Sequence, residues 1–352
     1  MHGGSAPAGR TVEVSTNGMS RPTIRTVAEH AGVSIATVSY VLSGRSGKNS
    51  SGVSGPTAAK VRQAADELGY VPNAAARTTR TGRTNLILLS LTVLSDPWAL
   101  AVIDAVRNHA TGAGMTPMIL ADVDWTSVLP HQQADVVFID SVSNSAGHRR
   151  TLHEMSARGQ RIVVLSMSDQ LQPDGFDVVR SLPIPGCDLL MQHLLRGHHK
   201  IACLATDTAP TNGSPSRDSS YLRAMKSAGI APRKDYLVRT SLDALSAYDA
   251  AKGLLTLPDP PTAIFAVSDF AAISAVNAAQ RLGLTVGSDI HIAGAGNTME
   301  GERMTPSLTS TGPADFFDLL GALLVQRAES AAGGSGELID FPWRLFARES
   351  AP

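Results

Sequence analysis

Only two cysteines, Cys187 and Cys203, occur in 352 residues, and both sit in apolar segments without the paired spacing of a zinc site. Buried, reduced thiols are the expected state, with no disulfide or metal. No apolar run approaches the roughly 20 residues that a membrane helix requires. The first residues are polar and glycine-rich where a secretory signal would place an apolar segment, so the expected location is the cytoplasm, with no membrane partner. Also lacking are a Walker-type phosphate loop, a nucleophile elbow and a metal-ligand cluster. "GAGN" from Gly294 follows a strand-like run but lacks the full dinucleotide fingerprint. These absences argue for a protein that is not an enzyme and carries no cofactor.

What is present is 43% hydrophobic residues, enough in a chain of this length for more than one core. The net charge of -1 hides an asymmetry. Residues 1–85 hold 10 Lys and Arg against 4 Asp and Glu, whereas the remainder holds 20 against 27. A basic small segment joined to an acidic large one suggests that only the first meets a polyanion, unless it is simply a solvated tail.

Residues 1–20 show neither helical nor strand periodicity and read as a disordered leader. Three short helices and a weak fourth are predicted between Thr23 and Arg80. Beyond Asn85 the pattern changes to apolar strands at 86, 116, 134, 161, 200, 263 and 290, alternating with helices over 98–113, 186–195, 217–227, 244–255, 270–282 and 316–330. Such alternation predicts parallel, doubly wound sheets with ligand sites at the carboxyl ends of the strands. About 265 residues suffice for two such lobes.

The strongest local signal is "TIRTVAEHAGVSIATVSYVL", Thr23 to Leu42: a short helix, a glycine turn and a second short helix. Ala28 lets the helices approach, Gly32 can take the positive φ that ends the first, and Ser34 can cap the second. Val27, Ala31, Val33, Val38, Val41 and Leu42 then form a common core. That arrangement leaves Ile35, Ala36, Ser39 and Tyr40 facing outward, where a recognition helix meets base edges. The local pattern alone serves an ordinary helical hairpin equally well.

The next segments extend the pattern. "VSIATVSYVLSG", "TAAKVRQAADELGYVPN" and "PNAAARTTRTGRTN" resemble in order the recognition helix, third helix and hinge of the LacI/GalR family. "RGHHKIACLA", "SRDSSYLRAMKSAGI", "PPTAIFAVSD" and "LGLTVGSDIHIAGAG" are similar to that family's sensor motifs. The resemblance implies an all-α helix-turn-helix headpiece over 21–71, a hinge over 72–84 and an α/β two-lobed periplasmic-binding-protein-like sensor over 85–352. It further implies double-stranded DNA contacts from Thr23, Ser34, Ile35, Ala36, Thr37, Ser39, Tyr40, Asn73, Ala76, Arg77, Thr79 and Arg80. In the third helix, Val61, Ala65 and Leu68 share an apolar face that reads as core, with Lys60 and Arg62 elsewhere. The segment "RSGKNSSG" before Val53 is longer than is usual in the family, and its Arg45 and Lys48 either touch phosphate or solvate a loop.

Departures from the family pattern bear on mechanism. Thr79 stands where relatives commonly place the leucine that wedges into the minor groove, so weaker DNA bending is expected, with Arg77, Arg80 and Arg83 tracking the backbone. "DPW" is similar to the family's Asn-Pro-Phe and implies Asp96 and Trp98 at an effector cleft, the alternative being that Trp98 is a core aromatic. Arg217 and Asp269 match further cleft positions, the alternative being a surface ion pair. A guanidinium facing a closing cleft needs either a carboxylate such as Asp269 or an oxygen-rich ligand. Leu182, Pro183, Ser268 and Gly296 replace polar positions common in relatives, which disfavours a heavily hydroxylated free hexose. A modified sugar or nucleoside-like effector fits better, and a regulator that has lost sensing is the alternative. The short connection from Asp122 predicts a missing or distorted second helix in the first lobe. The expected assembly is a homodimer on a pseudo-palindromic operator, without a C-terminal coiled coil, acting as a repressor at the nucleoid.

Overall fold

The computed structural model describes residues 22–42, 53–71, 78, 81–121, 123–140, 142–207, 216–241, 243–330 and 334–352. The chain divides into two units, Met1–Gly82 and Arg83–Pro352.

In the first unit, helices α1 (Ile24–Ala31), α2 (Ile35–Leu42) and α3 (Gly55–Glu67) enclose one small core. Thr23 caps α1 by accepting from the Thr26 amide, and Gly32 ends it at φ +64°, a left-handed backbone that favours glycine. The Ser34 hydroxyl then accepts from the Thr37 amide at 3.1 Å and starts α2 two residues later. Val27, Ala31, Val38 and Val41 are buried with Val61, Ala64 and Ala65 of α3, while Val33, Leu42 and Leu68 pack at the margin.

The second unit holds two six-stranded sheets. The first has the order β11-β5-β4-β3-β1-β2, all parallel, and the second β12-β10-β9-β8-β6-β7, parallel except for β12. The strands of the first sheet are β1 (Leu86–Leu91), β2 (Thr116–Ala121), β3 (Val136–Ile139), β4 (Ile162–Ser166), β5 (Asp177–Arg180) and β11 (Leu338–Asp340). Those of the second are β6 (Ile201–Thr206), β7 (Leu237–Thr240), β8 (Ala263–Ala266), β9 (His291–Ala295), β10 (Thr309–Pro313) and β12 (Trp343–Phe346). Alternate residues of one strand feed opposite cores: Ala202 and Leu204 pack on one side of β6, and Ile201, Cys203 and Ala205 on the other. Both faces of the inner strands β1, β3, β4, β6, β8 and β9 are covered, which is why these read as continuous apolar runs. Burial also pushes the Cys187 thiol up to about 12 and raises that of Cys203, so both stay protonated at neutral pH.

The covering helices are α4 (Pro97–Gly112), α5 (Trp125–Val128), α6 (Ala146–Ala157), α7 (Pro183–Leu195), α8 (Arg217–Ser227), α9 (Ala244–Leu255), α10 (Asp269–Arg281), α11 (Met299–Arg303) and α12 (Phe316–Glu329). The predicted distortion of the first lobe's second helix takes the form of the single turn α5, followed by a 3-10 turn at Leu129–His131. Trp125 and Leu129 are buried there in the same core, so this short turn covers the sheet. The chain passes between the lobes three times, at 181–182, 314–315 and 341–342.

At the amino ends of the second sheet, the His198 and His291 rings meet edge to face at 4.4 Å, with His198 Nδ1 3.0 Å from Thr262 Oγ1. Burial, then neighbouring histidines, holds both below the usual imidazole range. A base depressed in the folded state binds more protons when unfolded, so its stability contribution is complete above about pH 6.5 and is lost as pH falls through the folded value. Melting temperature should therefore fall between pH 7.5 and 5.5, and less steeply in His291→Gln. Equal slopes in calorimetry would remove the pair as the source.

Candidate functional site

Ligands of open α/β sheets bind beyond the carboxyl ends of the strands, and the second unit has a cleft of about 530 Å³ there. Thr92 follows β1, Asp140 follows β3, Met167 follows β4, Ser268 follows β8 by two residues and Gly296 follows β9; all line it. All four cleft residues expected from the sequence, Asp96, Trp98, Arg217 and Asp269, line this one space.

Asp96 caps α4, its Oδ1 accepting from the Trp98 amide at 2.9 Å, and Pro97 supplies the fixed first-turn φ. Trp98 then stands over the cleft with its ring 6.0 Å from Phe316. Arg217 opens α8. Its Nη1 donates to the Val267 carbonyl at 2.7 Å, and its guanidinium lies 5.1 Å from the Trp343 ring centre.

Of the two partners left open for Arg217, a carboxylate such as Asp269 or a ligand, Asp269 is not the one in this geometry. Its carboxylate does not pair with Arg217: Oδ1 accepts from Ser310 Oγ at 2.6 Å, and Oδ2 from the Thr298 amide and hydroxyl at 2.7 and 2.9 Å. The group is 1% exposed; burial raises its pKa and these hydrogen bonds oppose the rise. Its role in the described geometry is to pin α10 to β10 and to the turn before α11, with one edge at the cleft wall. Gly294 serves the same packing, since a Cβ there would lie 2.5 Å from Asp269 Oδ1. The "GAGN" run thus makes room for a carboxylate.

Among the cleft residues that the sequence did not mark, Asp140 and Trp343 stand out. Asp140 accepts from the Thr92 amide and hydroxyl at 2.9 and 2.7 Å, and burial, reinforced by Asp96, raises its pKa. Burial likewise raises that of Asp96, which Arg217 partly offsets. Trp343 opens β12 just after the last crossover, far in sequence from every motif. The polar inventory lost at Leu182, Pro183 and Gly296 is thus partly replaced by Thr92, Asp140, Ser143 and Ser181. Among the described lining residues there is no histidine, cysteine or lysine, and among the described residues no group of three or more His, Cys, Asp or Glu is arranged to hold a metal.

On the headpiece, Thr23, Ser34, Ile35 and Ala36 are exposed, and Thr37, Ser39 and Tyr40 are half-buried on α2 beside the inward-facing Val38 and Val41. Asn73, Ala76, Arg77, Thr79 and Arg80 lie outside the described residues, as do Arg45, Lys48 and the leader.

Comparison with known proteins gives a match to bacterial regulatory proteins of the lacI family over residues 23–73, and to a periplasmic binding protein-like domain over residues 191–350. The HTH-type transcriptional regulator DegA of Bacillus subtilis (strain 168) is 30% identical over 298 residues, spanning 82% of this chain and 86% of that protein. The HTH-type transcriptional repressor PurR of Edwardsiella ictaluri (strain 93-146) is 29% identical over 296 residues, 82% and 84% of the two chains. Among solved structures, a transcriptional regulator CelR–cellobiose complex superposes with a TM-score of 0.58 at 25% identity, covering 94% of this chain and all of that one. The lac repressor dimer bound to operator and the anti-inducer ONPF gives 0.66 at 24%, covering 94% and 99%. A three-helix headpiece followed by a two-lobed α/β unit, in a chain aligned with DegA across most of both lengths, belongs to the lacI family of bacterial transcriptional regulators.

Proposed function

We propose that the chain is a homodimeric, operator-binding repressor whose DNA affinity is set by a small molecule held between the lobes of its second unit. The observation that carries this reading is the convergence of Asp96, Trp98 and Arg217, from both lobes, on one cleft in a chain that also bears a helix-turn-helix. Aromatic faces from Trp98, Phe316 and Trp343, with polar groups from Asp96, Asp140 and Arg217, suit a ring-shaped effector with one apolar face and clustered oxygens, of the sugar or nucleoside kind. A lining without histidine, cysteine or lysine among the described residues supports binding over catalysis. The edge strand β2 exposes Met118 and Ile119, which supports burial against a second copy. Repression follows from occupancy of a two-fold operator in the cytoplasm, and an effector that closes the lobes shifts the DNA-binding population.

The test is a genome-wide occupancy map followed by titration of the recovered operator with and without candidate effectors. A pseudo-palindromic site whose affinity responds to a small molecule supports the reading. A recovered site with no response favours a regulator that has lost sensing. On the same operator, Tyr40→Ala should weaken binding by about 1–3 kcal/mol, the range for a lost base contact. Anisotropy titrations against the operator and a scrambled duplex decide it: equal losses on both would make Tyr40 a phosphate contact.

A further inference from the structure

The Trp343 indole occupies a place that no motif marks. It opens β12, immediately after the third crossover, and its Nε1–H donates to Ser181 Oγ at 2.7 Å on the first crossover. The two crossovers run side by side there, the Phe341 amide donating to the Arg180 carbonyl at 2.8 Å. Gly186 in α7 is what admits the ring: a Cβ at 186 would stand 2.7 Å from Trp343 Cβ and 2.8 Å from its Cε3. From this seat the indole faces the cleft, with the Arg217 guanidinium 5.1 Å from its centre.

An arginine side chain has many rotamers, and the Val267 carbonyl restrains only one of its nitrogens closely. Among the described residues, a further hydrogen-bond contact of its guanidinium is to Met167 Sδ at 3.8 Å, a weak acceptor. The charge of Asp96 also attracts the cation, with no ion pair formed, and the π face of Trp343 is the attraction that lies directly against it, on a ring that the Ser181 bond fixes. Resting on the reading of the cleft as the effector site, we propose that Trp343 is a positioning and specificity residue. It holds Arg217 where a ligand oxygen meets it, and it admits only ring ligands that can lay an apolar face on the cleft floor. A ligand polar on both faces would have to leave hydroxyls unsatisfied against the indole.

The test uses the full-length protein and two variants that keep an apolar side chain at the position, Trp343→Phe and Trp343→Leu. Ribose, cellobiose, galacturonate and adenosine serve as probes in isothermal titration, with melting curves confirming the fold. For the probe that binds the parent protein, Trp343→Leu should weaken affinity about tenfold, and Trp343→Phe, which keeps the π face, should recover most of it. In an Arg217→Ala background, Trp343→Leu should cost clearly less than in the parent protein, because part of its effect runs through the guanidinium. Unchanged affinity in Trp343→Leu overturns the proposal, as does equal loss in Phe and Leu or full additivity with Arg217→Ala. If no probe binds the parent protein, the effector-cleft reading itself fails and takes this one with it.

Discussion

Arg217→Ala is expected to abolish the effector response while leaving operator affinity without effector within a few-fold of the parent protein. The guanidinium is held by the Val267 carbonyl and the Trp343 face and feels the charge of Asp96, and among the described residues no carboxylate lies within salt-bridge distance of it. Its other N–H groups are therefore available to ligand oxygens. Hydrogen bonds to a charged donor contribute about 1.5–3 kcal/mol each, so losing a two-point contact costs on the order of 100-fold or more in effector affinity. The headpiece core is built entirely from its own three helices and does not involve this side chain. Titration of effector into the operator complex reads both quantities. Retained effector affinity would remove Arg217 from the binding surface.

Asp269→Ala should have the largest effect on stability. Three donors, the Thr298 amide, the Thr298 hydroxyl and the Ser310 hydroxyl, point at this carboxylate in a fully buried setting. Removing it leaves buried donors with lost or poorer partners, at a cost of roughly 2–4 kcal/mol. For a unit of this size that corresponds to a melting temperature lower by roughly 5–15 °C. Calorimetry of the variant decides it. A loss of effector affinity with an unchanged melting temperature would instead make Asp269 a direct ligand contact.

Which parts of this architecture were legible follows from what each residue touches. The strand Thr116–Ala121 and the helices Arg217–Ser227 and Ala244–Leu255 stand where the sequence predicts them, because apolar periodicity and capping are local signals. The strands β5, β7, β10, β11 and β12 escaped. Most span only three or four residues, and β10 reads "TSTGP", the composition of a loop. Every residue of β10 is nonetheless buried, since its hydroxyls find partners inside: Thr309 on the Arg348 and Ala351 carbonyls, Ser310 on Asp269 and Thr311 on the Arg344 carbonyl. No sequence window contains those partners.

The headpiece was determined almost wholly by local sequence. Thr23, Gly32 and Ser34 set the ends of its first two helices, and a handful of valines and alanines fill its core, because short helices joined by tight turns make their decisive contacts within a few dozen residues. Alternating apolar runs likewise determined two doubly wound lobes with a site at their strand ends. Tertiary structure alone decided how that site is furnished. It turned Asp269 inward to hydroxyls some 30 to 40 residues away, brought Asp140 beside Asp96, and carried Trp343 under Arg217. Burial and hydrogen-bond satisfaction act through space, so a carboxylate or an indole takes its role from whichever strand the crossovers bring alongside it.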